Sequence, residues 1–401
     1  MFSRNFRNLV STRLILNLID SLIYMVIIWY ASKVSSRLEA LVLLAFSMPQ
    51  SLSVFFGPLI DRYSYKKVLL ISIVSQFVFM AVMTILYINN ILPLWVTFVV
   101  VFLISLAGNI GYNVEEAIVP SIVNGDKIVR ANSIMEITHS ILDSIFNGIG
   151  GFLIVIFTIS QLYIASTLLF ILPLFFVSKL VLDNNKIDEV ESYTFNEYKI
   201  DLKEGIKSVF DGNIKKLIIP LVIINLFYSM TTVTIPYFSS GINDTAALFG
   251  GILLLKGISG IIGAGLPSIL DKFFDTTKAI AMSLFLQGIL WIGLILFRQN
   301  NILMLSLYFA SFIFFGSTNI LFTSLFQKNL SKDKYGRAFT AIDTFITLAM
   351  PIGYLLAGEL IEQGVNIFIV MLPYGIVSTL VGIYYFIAEI NMQKQYIIMK
   401  N

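Results

Sequence analysis

The chain has 401 residues, 57% of them hydrophobic and 13% charged, with a net charge of +3 and no cysteine. A soluble domain is about a quarter charged, so this composition, with a mean hydropathy of +0.86, excludes an ordinary soluble protein and points to a membrane protein. Without cysteine there are no disulfides or thiolate metal sites, and the single histidine, His139, cannot build a histidine metal site alone. No cofactor, metal or nucleic-acid partner is expected.

A spanning helix takes about 20 mostly apolar residues. That ruler predicts twelve spans in chain order: 9–30, 39–60, 68–87, 94–115, 134–156, 160–182, 216–238, 246–268, 279–297, 302–326, 338–360 and 367–388. The first lacks a small-residue cleavage site after its apolar run and reads as a spanning helix rather than a removable signal. The second runs into a charged turn, Gly57–Lys67. Glu115 and Glu116 close the fourth, placed to pair with Arg62 or its neighbours or to mark an interface. The fifth holds Asp143 and His139, the latter read as structural rather than as a proton relay. Between the sixth and seventh lies the longest polar stretch, 183–215, read as a solvated linker. The eighth carries Lys256. The glycines Gly148, Gly150, Gly151, Gly257, Gly260 and Gly263 suit close helix packing, and Trp29, Tyr30 and Trp95 suit interfacial anchoring.

Lys and Arg crowd alternate loops and both tails, in 61–67, 127–130, 186–216, 272–278 and 328–337, whereas the other loops hold Lys33, Arg37 and Arg298. This bias places both termini and the basic loops in the cytoplasm. The halves echo each other. Asn17 and Gly108 recur as Asn225 and Gly316 at a displacement of 208 residues, and the spacing of Asn17, Asp20 and Tyr24 is repeated by Asn225, Tyr228 and Thr232 at the same displacement. Asp126-Lys127, Arg130 and Glu136 recur as Asp333-Lys334, Arg337 and Asp343 at 207, and Asp61-Arg62 as Asp271-Lys272 at 210. Such parallel repeats predict an all-α membrane protein with twelve transmembrane helices in two pseudo-symmetric six-helix bundles. The bundles are 1–182 and 216–401, joined by the cytoplasmic linker 183–215.

This organisation resembles the major facilitator superfamily over essentially the whole chain. Gly57, Leu59, Asp61, Arg62, Lys66 and Lys67 match the family's loop between helices 2 and 3, with Ser64 in place of its second glycine. Pro120-Ser121-Ile122-Val123, Arg130-Ala131-Asn132-Ser133, Gly336-Arg337-Ala338-Phe339, Pro351-Ile352-Gly353 and Gly358 resemble the drug-efflux branch that includes macrolide-efflux pumps. The resemblance implies secondary active transport of a small molecule by alternating access. On that branch it implies a monomeric exporter driven by proton antiport in a bacterial plasma membrane. Two positions depart from the pattern: helix 4 lacks the arginine of many proton-driven exporters, and Phe146-Asn147 replace the antiporter motif's Gly-Pro. An importer or exporter of a natural metabolite, peptide or siderophore stays open, as does a non-transporting polytopic protein. A membrane enzyme is disfavoured by short outer loops without a catalytic cluster, and no nucleotide-binding loop is present.

An aspartate at mid-bilayer costs roughly 2.5–3.5 kcal/mol, so Asp20 belongs in a polar path rather than against lipid. Asn17, Asp20 and Tyr24 share one helix face by their i, i+3, i+7 spacing, as do Asn225, Tyr228 and Thr232. Asp20 is the proton-coupling candidate, because desolvation of a carboxyl group brings proton uptake toward neutral pH. The resemblance puts helices 1, 4, 7 and 10 along the path, which adds Asn109, Tyr112, Asn113, Ser317, Thr318 and Asn319. It also implies contact between helices 5 and 8, making Asp143 and Lys256 a candidate intramembrane pair; otherwise Lys256 would attract an anionic substrate. A cytoplasmic gate is expected from Gly57, Asp61, Arg62, Lys66, Lys67, Glu136, Asp271, Lys272, Arg337 and Asp343. Its basic turns would meet acids on helices 5 and 11 of the opposite half.

Overall fold

The computed structural model describes residues 2–52, 55, 64–123, 131, 134–135, 138, 142–182, 199, 203, 207, 214–240, 245–270, 272–329, 341–342 and 344–400. Its helices are α1 Arg4–Val34, α2 Ser36–Ser51, α3 Tyr65–Ile88, α4 Leu94–Ile122, α5 Leu142–Ile156, α6 Ile159–Leu169 and α7 Ile171–Ser178 in the first half. The second half holds α8 Ile214–Ser240, α9 Ala246–Gly265, α10 Pro267–Leu270, α11 Thr276–Leu296, α12 Asn301–Asn329, α13 Met350–Glu362 and α14 Ile367–Lys400. Ten stretches of the described chain are long and apolar enough to cross a membrane. The second and fifth predicted spans are α2 and α5, with 16 and 15 residues, each bordered by undescribed residues.

Local chemistry sets the ends. Ser3 caps α1 through its hydroxyl, which accepts from Phe6 N at 3.1 Å. Ser35 is extended; it stops α1 and, by accepting from Leu38 N, starts α2. A capping box of Thr158 and Gln161 opens α6. Gly364, at φ 81°, ends α13 in the left-handed conformation that glycine adopts without strain. Prolines divide two predicted spans. Pro173 cannot donate to the Leu169 carbonyl, and the 160–182 span breaks at Phe170 into α6 and α7. Pro267 begins α10 after the break at Leu266.

The helices form two bundles. In the first, α1 packs on α2, α5, α6 and α7, and α4 on α2 and α3; in the second, α8 packs on α13 and α14, α11 on α12 and α14, and α9 on α12. Side chains such as Ile71, Ile156, Ile302 and Leu380 stand exposed on the outside, the reverse of a soluble protein and suited to lipid. Polar groups inside tie helices together: Trp291 Nε1 donates to Met371 O at 2.9 Å, Gln287 Nε2 to Tyr374 Oη at 2.7 Å and Ser311 Oγ to Gln287 O at 2.9 Å.

Two seams join the bundles, α5 against α9 and α2 against α13. Glycine makes both possible. A Cβ on Gly250 would meet Gly151 Cα at 2.6 Å, and one on Gly358 would meet Ser36 O at 2.8 Å. Among the described residues, the hydrogen bonds and ion pairs that cross between bundles gather at one end, opposite the chain termini. Arg37 grips Glu359 through two bonds of 2.8 and 3.0 Å, Ser36 Oγ lies 2.9 Å from both Gly358 O and Glu362 Oε2, and Tyr237 donates to Ser32 O at 3.2 Å. Trp29 stacks on Phe249 of the other bundle at 5.8 Å, with Lys33 Nζ 4.4 Å over its ring, so it packs between the bundles at this end rather than anchoring in lipid. Tyr30 and Trp95 are exposed, as anchors require. Glu39 is buried here beside the Tyr237 hydroxyl of the other bundle.

Candidate functional site

Arg13, Asn17 and Asp20 lie at i, i+4 and i+7 on α1 and form one polar face. Arg13 Nε donates to Asn17 Oδ1 at 2.9 Å, Nη1 to Glu115 Oε2 on α4 at 3.3 Å, and Nη2 stands 4.0 Å from Asp20 Oδ2. Its guanidinium lies 5.1 Å over the Tyr112 ring, and Tyr112 Oη donates to Glu116 Oε1 at 2.7 Å. Asn17 Nδ2 donates to the Thr138 carbonyl, which ties α1 to the chain ahead of α5. The Glu115 side chain is 0% exposed, Arg13 7% and Asp20 39%. Glu115 Oε1 is buried without a hydrogen-bond partner. One guanidinium thus serves two carboxylates, one sealed and one reachable.

Glu115 was expected to pair with Arg62 or its neighbours or to mark an interface; it pairs instead with Arg13, which the sequence reading passed over inside the first span. The i, i+4, i+7 spacing of Arg13, Asn17 and Asp20 was the available signal. Asn17 is buried in this network, whereas Tyr24 sits against Phe46 at 5.3 Å. Asn109 and Asn225 each donate to a carbonyl of their own helix at 3.0 Å and remain half-buried. Asn113 is half-buried, and Thr232 Oγ1 lies 3.4 Å from Tyr228 O. Ser317 and Thr318 are buried in helix packing: Ser317 Oγ meets Ser283 Oγ on α11 at 3.3 Å, and Thr318 bonds back to Phe314 O at 2.8 Å. Asn319 is exposed.

In the second bundle, Lys256 of α9 has its ammonium 5.3 Å over the Tyr228 ring of α8 and 5.6 Å over Phe312 of α12. Tyr228 in turn stacks on Phe315 at 5.0 Å and meets Tyr374 at 5.7 Å. A cation–π contact contributes about 0.5–2 kcal/mol, less than the several kcal/mol an ammonium loses on leaving water. Among the described residues no carboxylate forms an ion pair with Lys256. The Asp143 side chain lies outside the described residues.

Of the expected gate, Gly57, Asp61, Arg62, Glu136, Asp271, Arg337 and Asp343 also lie outside them. Lys66 donates to Ser178 O at 2.8 Å and Leu180 O at 2.6 Å, capping the end of α7 within its own bundle instead of reaching the other. Lys67 and Lys272 are exposed.

The fold has close counterparts. A peptide-family (POT) transporter in complex with a thioalcohol-conjugated peptide superposes with TM-score 0.74 at 12% identity, over 97% of this chain and 96% of the other. The nucleoside transporter NupG, in mutant form, gives 0.73 at 12% identity over 96% and 100%. The POT transporter PepTSo gives 0.74 at 10% identity over 98% and 99%. These are peptide and nucleoside transporters, not drug-efflux pumps. No curated protein sequence matches. The Major Facilitator Superfamily profile matches residues 10–354. With twelve helices in two bundles and a charged cluster between α1 and α4, the chain belongs to the Major Facilitator Superfamily and is a secondary-active transporter of a small molecule rather than an enzyme.

Proposed function

We propose that the protein carries a polar, charge-bearing natural metabolite by alternating access, coupled to protons at the Arg13–Asp20–Glu115 cluster. The observation that carries this reading is the single buried guanidinium shared by two carboxylates within the membrane. Ionisable groups at that depth mark substrate or proton paths. Asp20 is exposed enough to exchange a proton with water, and Arg13 links its charge to sealed Glu115 and so to the packing of α1 on α4. Protonation at Asp20 frees Arg13 to pair with Glu115 alone; ionisation divides it between the two. A charged wall of this kind supports a metabolite of peptide or nucleoside size, the cargo of the matched structures, over an apolar drug. The motifs at 120–133 and 336–358 favour a second reading, proton-driven efflux of a drug or macrolide-like compound.

With both termini cytoplasmic, as the Lys and Arg distribution supports, the end joined by Arg37–Glu359 is the outer one. The basic turns then belong to an inner gate that forms when the path opens outward. The setting is the plasma membrane of a bacterium, and the working unit a monomer.

The test is transport by purified protein in proteoliposomes, screening peptides, nucleosides and macrolides with and without an imposed pH gradient. Gradient-driven movement is expected in the wild type and is lost in Asp20→Asn, while exchange without a gradient survives. Transport indifferent to the gradient, or fully retained in Asp20→Asn, would remove proton coupling at this site.

A further inference from the structure

We propose that Lys256 is an anion-binding position in the wall of the central path, and that the transported molecule carries a carboxylate that docks on its ammonium. This rests on the transport reading above and names the chemistry of the cargo.

The two faces of α9 establish where Lys256 points. Ala246, Gly250 and Leu254, at i, i+4 and i+8, form the face against α5: Gly250 abuts Gly151, and a Cβ on Gly148 would meet Leu254 Cβ at 2.6 Å. Lys256, Gly260 and Gly263, at i, i+4 and i+7, form another face. That face packs on α12, where a Cβ on Gly316 would meet Gly260 O at 2.6 Å and one on Gly263 would run into Ile313 O. Lys256 therefore extends away from α5, along the glycine-made contact with α12, to Phe312 and across to Tyr228 of α8. It is half-buried, with part of the side chain left uncovered by the protein.

The chemistry there is incomplete. The ammonium meets ring faces but, among the described residues, no carboxylate. Ring quadrupoles return less than the hydration the charge gives up. The rings are themselves held: Tyr228 is packed by Phe315 and Tyr374, and Phe312 is 2% exposed. They therefore fix the ammonium without neutralising it.

Pseudo-symmetry adds a second argument. Tyr228 is the repeat counterpart of Asp20, 208 residues on. At this position the first bundle places an acid facing a guanidinium, and the second a ring under an ammonium. Among the described residues the two walls thus differ in sign, with two carboxylates facing a guanidinium on one side and an ammonium over rings on the other. An ammonium is a point charge without a planar fork, so it accepts a carboxylate in any of several orientations, as a carrier that must also release its cargo requires.

The test uses the purified full chain in detergent, with thermal stability as the binding readout. Each probe acid is compared with its uncharged amide: benzoate with benzamide, N-acetylalanine with N-acetylalaninamide, and Ala-Ala with its C-terminal amide. The acids are expected to raise the melting midpoint at concentrations where the amides do not. Lys256→Met is expected to weaken acid binding about tenfold or more, while Lys256→Arg retains the preference and shows that the position tolerates change. Equal stabilisation by acids and amides, no stabilisation by any acid, or an acid preference that survives in Lys256→Met would overturn the assignment. Counterflow in proteoliposomes separates it from the reading beneath. Lys256-dependent acid binding without transport overturns the transport reading alone, and transport without acid preference overturns the Lys256 assignment alone.

Discussion

Arg13 holds the first bundle's polar centre together, and its removal separates two kinds of energy. Breaking a buried ion pair by deleting one partner costs about 3–5 kcal/mol, because the remaining charge is stranded, whereas replacing both by apolar groups is often neutral or better. Arg13→Met is therefore expected to lower the thermal midpoint in detergent markedly, and Arg13→Met combined with Glu115→Met to recover most of the loss while remaining inactive in gradient-driven transport. A double variant no more stable than the single one would count against the pair. The face holding Asn17 and Asp20 was legible in sequence because a helix brings i and i+3 neighbours together. Arg13, one turn earlier on that face, was overlooked inside an apolar span, and Tyr24 turns to Phe46. Glu115 was not legible as a partner, since 102 residues separate it from Arg13 and only the packing of α1 on α4 joins them.

The closed end depends on glycine at the level of the helix. Gly250 faces Gly151 Cα and Gly148 O, backbone atoms that cannot move aside, whereas Gly251 one position on has nothing within 4 Å. Gly250→Leu is expected to part α5 from α9 and open this end; Gly251→Ala is expected to change nothing. The absence of native cysteine makes the measurement direct. A cysteine placed at Ser36, buried in the closed state, should react with a membrane-impermeant maleimide several-fold faster in the Gly250→Leu background and at the unaltered rate in Gly251→Ala. The glycine clusters were readable as close-packing surfaces. Which surface met which was not, because Gly250 and Gly260 sit on different faces of one helix and meet α5 and α12 only once the bundles are assembled.

For the whole molecule, the closed end is one half of a cycle. The Arg37–Glu359 bridge is exposed and solvent-screened, so it adds little to stability, and Glu359→Ala is expected to leave the melting midpoint nearly unchanged while shifting the molecule toward the open-out state. A disulfide between cysteines placed at Arg37 and Glu359 is expected to hold this end shut and stop transport reversibly, with activity returning on reduction; undiminished transport by the cross-linked protein would show that this end need not open. The sequence by itself determined the membrane class, the twelve spans, the duplication and the polar face of α1, because apolar length, loop charge and helical spacing are local properties written in consecutive residues. Only the tertiary structure decided that Glu115 belongs to Arg13, that Lys256 lies over the rings of Tyr228 and Phe312, that Ser317 and Thr318 are used in packing, and that the two bundles are tied together by Arg37–Glu359. These depend on which helix faces meet across hundreds of residues, and in a chain with so many apolar helices periodicity leaves that choice open.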